Sequence, residues 1–268
     1  MTPLLRHFGF DHHPFGRQTP AAALLHHESF DEALDRLRYS VELDAVAMLV
    51  AEAGCGKSML MGQLADELQQ AGWVVHYLAH STIGPFGLIN VLCRKVGLAP
   101  RRSRGETAVQ MVDRLLESDQ RHLLVLDEAQ ALPDATLEDV RLLTVADFDR
   151  KSPFLLLLAG QPCLDDRLAE PSHRSLDQRI TTVARLLPLS KAETSKYVHL
   201  RLDVARTGNK KTAVFDPEAI DALFDASGGI PRRINGLATS ALIITAARKR
   251  KTVGAQDVHD ARLDRGRA

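Results

Sequence analysis

A chain of 268 residues, 45% hydrophobic and 25% charged, has the balance of an ordinary globular protein and the length to bury a sizeable core. Its 34 basic and 34 acidic residues cancel, so no global field draws it to nucleic acid or membrane, and any such binding must rest on local patches. Three scattered cysteines (Cys55, Cys93, Cys163) lack metal-type or CxxC spacing, Met1–Phe10 holds no signal-peptide core, and the apolar runs 154–159 and 238–247 are too short for a bilayer. Together these predict a cytoplasmic protein without membrane contact.

Residues 1–27 carry five of the 11 histidines without clear periodicity and are expected to be irregular. Their adjacent pairs, His12-His13 and His26-His27, diverge on strand or helix alike, so packed or exposed histidines are expected over a metal site. Phe30, Ala33, Leu37 and Val41 recur at helical spacing over 29–42. An apolar strand, 45–50, then runs into Val50-Ala51-Glu52-Ala53-Gly54-Cys55-Gly56-Lys57-Ser58, and Leu60, Leu64 and Leu68 define a following helix that stops at Gly72. Strands are predicted at 73–78, 122–126, 154–159 and 182–186, with helices at 86–96, 107–116 and 137–146 between them. Alternation of this kind implies a parallel sheet covered on both faces.

After Pro188 the strand signals stop. Ser190-Lys191-Ala192-Glu193 is a capping box opening a helix to about Arg206, ended by Gly208, and Asp216-Pro217-Glu218 opens a second that ends at Gly228-Gly229. Pro231 starts a third, with Ile234, Leu237, Ala238, Ala241 and Leu242 on one face, and a short fourth covers 256–263. The expected organisation is an α/β nucleotide-binding core with the N-terminal segment over 1–188 and an all-helical lid over 189–268.

Strand, glycine loop and helix in that order form a phosphate-binding loop. Gly54 and Gly56 let successive N–H groups turn inward, Lys57 is placed for the β- and γ-phosphates, and the Ser58 hydroxyl for Mg²⁺; Cys55 and Met59 complete the binding stretch. The pattern puts a glycine where this chain has Ala51, which is tolerable if φ stays negative. The apolar run Leu123–Leu126 delivers Asp127 and Glu128 to the same sheet edge, Asp127 for the metal and Glu128 to polarise water. Ala129-Gln130 bring a helicase motif to mind, but a helicase of that kind needs a second α/β domain, and the helical C-terminal region does not supply one.

Gln161 is placed either to sense the γ-phosphate or to cap the next helix. Arg179 is placed to reach a neighbour's nucleotide or to pair with Asp177 or Asp165. Arg232, with Arg233 beside it, is placed to fold onto phosphates.

With these residues the chain resembles the AAA+ ATPases of the ExeA/TniB/TnsC group. The resemblance is carried by Phe8-Gly9-Phe10 with Pro14-Phe15, Gly54-Cys55-Gly56-Lys57-Ser58, Leu126-Asp127-Glu128-Ala129-Gln130 and Glu138-Asp139-Val140-Arg141-Leu142-Leu143. It continues through Gly160-Gln161-Pro162, Gln178-Arg179-Ile180 and Gly229-Ile230-Pro231-Arg232-Arg233-Ile234-Asn235. It implies a P-loop AAA+ core with a helical lid, ATP and Mg²⁺ as cofactors, slow ATP hydrolysis, and assembly into a ring or filament. The implied roles are Walker A at Gly54–Ser58, Walker B at Asp127 and Glu128, sensor one at Gln161, arginine finger at Arg179 and sensor two at Arg232. Ala51 departs from the Walker A pattern and bears on hydrolysis more than on binding.

Two functions compete within that group. Secretion-type members continue into a membrane span and a wall-binding region, which this sequence lacks, so the expectation is a DNA-binding helper of a DDE transposase. Duplex DNA would meet two basic clusters, Arg94, Lys95, Arg101, Arg102 and Arg104, and Arg248, Lys249, Arg250 and Lys251, unless these are solvated faces. A nucleotide switch or scaffold with negligible turnover is the third reading.

Overall fold

The computed structural model describes residues 2–16, 24–79, 84–144, 152–206, 213–264 and 266. Its packing separates two compact units: Ser29–Ala53 with Lys57–Leu186, and Met1–Glu28 with Gly54–Gly56 and Leu187–Ala268. The chain opens with a short helix, α1 (Pro3–Phe8), of the second unit. The α/β unit then runs α2 (Glu28–Glu42), β1 (Val46–Ala51), α3 (Lys57–Gln70), β2 (Val74–Leu78), α4 (Pro85–Lys95), α5 (Arg104–Leu116) and β3 (His122–Leu126). It continues through α6 (Asp134–Leu143), β4 (Leu155–Gly160), α7 (Cys163–Leu168), α8 (Arg174–Asp177) and β5 (Ile180–Leu186).

All strand pairs are parallel, in the order β2-β3-β4-β1-β5. The sequence of each strand matches its place. β1, β3 and β4 lie inside the sheet and are buried along nearly their whole length, which is why they read as unbroken apolar runs. β5, at one edge, alternates buried and open positions. It begins at Ile180, earlier than the apolar pattern indicated, because Ile180 and Thr182 pair with Val46 and Ala47 of β1. Leu124, Leu126, Leu156, Leu158, Leu137 and Val140 form the centre of this unit's core. The last two residues of the helix expected at 137–146 lie outside the described residues, as does Gly208.

The helical unit holds α9 (Lys191–Val204), α10 (Pro217–Ser227), α11 (Pro231–Ala247) and α12 (Ala255–Asp264). Its caps are those the sequence predicts. The Ser190 backbone N–H donates to Glu193 Oε2 at 2.8 Å while Ser190 Oγ accepts from the Glu193 N–H, and Asp216 Oδ1 accepts the Ala219 N–H at 2.6 Å.

The N-terminal segment departs from expectation in two ways. Residues 3–8 are helical, and the segment packs in the helical unit, whereas the sequence pattern joined it to the α/β core. The cause is aromatic: Leu5, Phe8, Phe10 and Phe15 are buried in one core with Val198, Phe215, Leu223 and Leu242. Buried Arg201 secures it, donating from Nε to the Pro14 carbonyl at 2.7 Å and from Nη2 to the Gly16 carbonyl at 3.0 Å. One irregular stretch thus has its backbone oxygens satisfied by a guanidinium fork.

Candidate nucleotide-binding site

Because the strands are parallel, the turns after β1, β3 and β4 leave one edge of the sheet, and β4 lies between the other two. Lys57, the acidic pair and Gln161 are therefore neighbours by topology. Ala51 ends β1, is buried, and pairs with Leu186; it is absent from the positive-φ residues, so alanine fits where the motif has glycine. Gly54 and Gly56 adopt φ of 96° and 115°. Lys57 opens α3, is only 6% exposed, and donates from Nζ to the Ala51 carbonyl at 3.1 Å, with Glu128 Oε1 4.0 Å away. Ser58 and Met59 follow it exposed on the first turn of α3, and Cys55 is buried. The start of a long helix, α3, suits an anion.

Asp127 is buried at the end of β3; its Oδ1 accepts the Glu128 N–H at 2.8 Å and its Oδ2 accepts the Tyr77 hydroxyl at 2.6 Å. Burial, then the hydrogen bond and charge of Asp127, push the Tyr77 phenol up to about 12. Glu128 takes a left-handed conformation, φ 53° and ψ 39°, a strained choice for a residue with a side chain. Its Oε2 accepts Gln130 Nε2 at 2.7 Å and Gln161 Nε2 at 3.3 Å. The sheet edge thus gathers Lys57, Asp127, Glu128 and Gln161 with two side chains the sequence did not assign, Tyr77 and Gln130. Tyr77 escaped because its reach depends on β2 pairing with β3, Tyr77 opposite Val125, which strand order alone decides. Gln130 had a signal, its place two residues after Glu128 in a tight turn.

Arg179 is half-buried between α8 and β5, at the amino end of β5, whereas Asp127 follows the carboxyl end of β3. These are opposite edges of one parallel sheet, so within a single chain Arg179 and the acidic pair lie apart. Asp165 pairs with Arg185. Within the helical unit, the Arg232 N–H donates to the Gly54 carbonyl at 3.2 Å.

The two basic clusters differ. In the first, Arg104 pairs with buried Asp139 and Arg101 Nε donates to Gln110, while Arg94, Lys95 and Arg102 are exposed and make no ion pair among the described residues. In the second, Arg248 pairs with Asp257 and Asp260, Arg250 pairs with Asp257, and Lys251 Nζ donates to the His7 carbonyl at 2.7 Å. Those cations join the end of α11 to α12 and α1; Lys249, at φ 56°, is exposed and makes no ion pair among the described residues.

A phosphate loop on a parallel sheet of this order, with an acidic pair two strands away, is the arrangement of AAA+ P-loop proteins. Residues 41–168 match the protein-family model described as an AAA domain. The chain is 33% identical over 247 residues to general secretion pathway protein A of Aeromonas hydrophila, covering 90% of this chain but 44% of that relative's length. Among solved structures, Cdc6p of Pyrobaculum aerophilum superposes with a TM-score of 0.74 at 18% identity, over 94% of this chain and 70% of that one. The Aeropyrum pernix ORC1 protein in complex with DNA gives 0.66 at 19% identity, over 91% and 67%. Drosophila ORC bound to DNA gives 0.69 at 16% identity, over 100% and 67%. At these identities the solved structures support the fold, and the fold is that of the AAA+ class. Among the described residues no helix is long and apolar enough to cross a membrane.

Proposed function

We propose that the protein is a Mg²⁺-dependent AAA+ ATPase. The observation that carries this reading is Glu128 at the sheet edge, with Oε1 4.0 Å from Lys57 Nζ and Oε2 on Gln161 Nε2 at 3.3 Å. Lys57, drawn from the Ala51 carbonyl, would meet the terminal phosphates, and the Gly54–Gly56 amides would cradle them. The Ser58 hydroxyl and the Asp127 carboxylate, both hard oxygen donors, fit Mg²⁺, which when bound neutralises charge on the phosphate oxygens. Glu128 takes the proton of the attacking water, and Gln161 orients that carboxylate. Arg179, at the opposite sheet edge, is assigned to a neighbouring subunit's nucleotide, which requires a homo-oligomer. Arg232 is assigned as the residue that follows loop occupancy, on the strength of its Gly54 contact, with Arg233 as its neighbour.

Turnover and nucleotide affinity of two variants test the assignment. Lys57→Ala loses binding; Glu128→Gln binds ATP as the unaltered protein does and hydrolyses it about 10²- to 10⁴-fold more slowly. Wild-type turnover by Glu128→Gln overturns it.

The 33% identity to general secretion pathway protein A favours an ATPase module of the ExeA type, and the chain spans less than half of that relative. A second reading, nucleotide-dependent assembly on duplex DNA in aid of a DDE transposase, draws on the exposed trio Arg94, Lys95 and Arg102. DNA binding that appears with an ATP analogue and vanishes with ADP supports the second; binding indifferent to nucleotide favours the first.

A further inference from the structure

The amide of Gln130 lies between the two residues to which hydrolysis is assigned. Gln130 Oε1 accepts the Gln161 backbone N–H at 3.2 Å, and Gln130 Nε2 donates to Glu128 Oε2 at 2.7 Å. A backbone N–H is only a donor, so it fixes which end of the amide faces β4 and leaves the NH₂ group for the carboxylate. The surroundings hold this orientation. A Cβ at Gly160 would lie 2.7 Å from Gln130 Oε1, so the glycine that ends β4 makes room for the amide. Arg167 Nη1 donates to the Gln130 carbonyl at 2.9 Å and its other nitrogen pairs with Asp134, tying down the short turn Ala129–Ala131.

Glu128 needs such support. Its side chain is 42% exposed, its backbone is strained, and a catalytic carboxylate must be held to within a fraction of an ångström. We propose that Gln130 is a positioning residue for hydrolysis, clamping Glu128 Oε2 so that Oε1, on the Lys57 side, is the atom that receives the proton. Gln161 makes the longer contact to the same oxygen, and its backbone N–H sets Gln130, so β4 and the turn after β3 act on the carboxylate together. This rests on Glu128 being the base.

The test uses the full chain and compares Gln130→Ala, Gln130→Glu and Glu128→Gln in steady-state turnover, with nucleotide affinity measured in parallel. Gln130→Ala should lower kcat about 10- to 100-fold with KM within about twofold, since a misplaced group costs rate and not binding. Gln130→Glu, which as a carboxylate has no N–H to give Glu128 Oε2, should lower kcat at least as far. Gln130→Ala at the wild-type rate beside an inactive Glu128→Gln overturns the positioning role and leaves the base assignment standing. A fall in nucleotide affinity that matches the fall in kcat overturns it as well, pointing to a structural defect. Wild-type turnover by Glu128→Gln instead removes the base, and this proposal with it.

Discussion

Gly54→Ala measures how tightly the phosphate loop is held within the helical unit. At φ 96° an L residue pays for its Cβ, about 1–2 kcal/mol by analogy with the left-handed helix. The new Cβ would also lie 2.7 Å from Arg232 Cβ and 3.2 Å from Ile230 Cγ2. Neither neighbour is the loose end of a long chain: Arg232 Cβ is fixed by α11, whose Arg232 N–H is bonded to the Gly54 carbonyl at 3.2 Å. Overpacking of this kind adds about 1–3 kcal/mol, so the substitution should cost about 2–5 kcal/mol in all. Urea unfolding followed by circular dichroism reads the total, and binding of a fluorescent ATP analogue reads the loop. Arg232→Gly separates the two contributions by deleting the nearer Cβ. In that background Gly54→Ala should cost less by the overpacking share and retain the φ penalty. A cost below about 0.5 kcal/mol in the unaltered background refutes both contributions, and equal costs in the two backgrounds refute the steric one.

Four further perturbations probe other parts of the chain. Tyr77→Phe removes the hydroxyl that orients Asp127; half-saturating Mg²⁺ should rise about 10-fold or more while nucleotide affinity in EDTA is unchanged, and an unmoved Mg²⁺ dependence refutes the role of that hydroxyl. His76 stacks on His122 with Nε2 3.1 Å from Nδ1, and burial, then the charges of His122 and Lys95, depress it from 6.5 to about 4. The unfolded chain therefore binds the extra proton first, and stability present above pH 6.5 should fall by about 3 kcal/mol as pH drops to 4. His76→Leu should flatten that part of the pH–stability curve in chemical denaturation. For DNA, neutralising Arg94, Lys95 and Arg102 together should flatten the salt dependence of duplex binding, by up to about 0.9 for each phosphate these cations engage. Neutralising Arg248 and Arg250 should leave the slope alone and lower the melting temperature, because those charges hold α11 to α12.

Much of this molecule is decided locally, and so was legible in the order of residues. Apolar runs bounded by turn residues defined β1, β3 and β4, because strands buried on both faces leave no room for polar side chains. The capping box at Ser190 and the Asp216-Pro217 start act within a single turn, so they read directly as helix starts. Lys57, Asp127 and Glu128 were legible for a related reason: each follows a strand by a short, recognisable turn. Pairings between segments distant in sequence were not. Phe8, Phe10 and Phe15 show no periodicity, and only the cavity among α9, α10 and α11, with Arg201 to bind their backbone, gives them a core. The runs Arg94–Arg104 and Arg248–Lys251 look alike as text, yet Asp257 and Asp260 neutralise much of the second while three cations of the first stay outward. Tyr77 meets Asp127, and Gln130 meets Gln161, because β2, β3 and β4 lie side by side in that order. Hydrophobic pattern and capping depend on neighbours in the chain, whereas strand order and ion pairing depend on neighbours in space, which only the packed structure supplies.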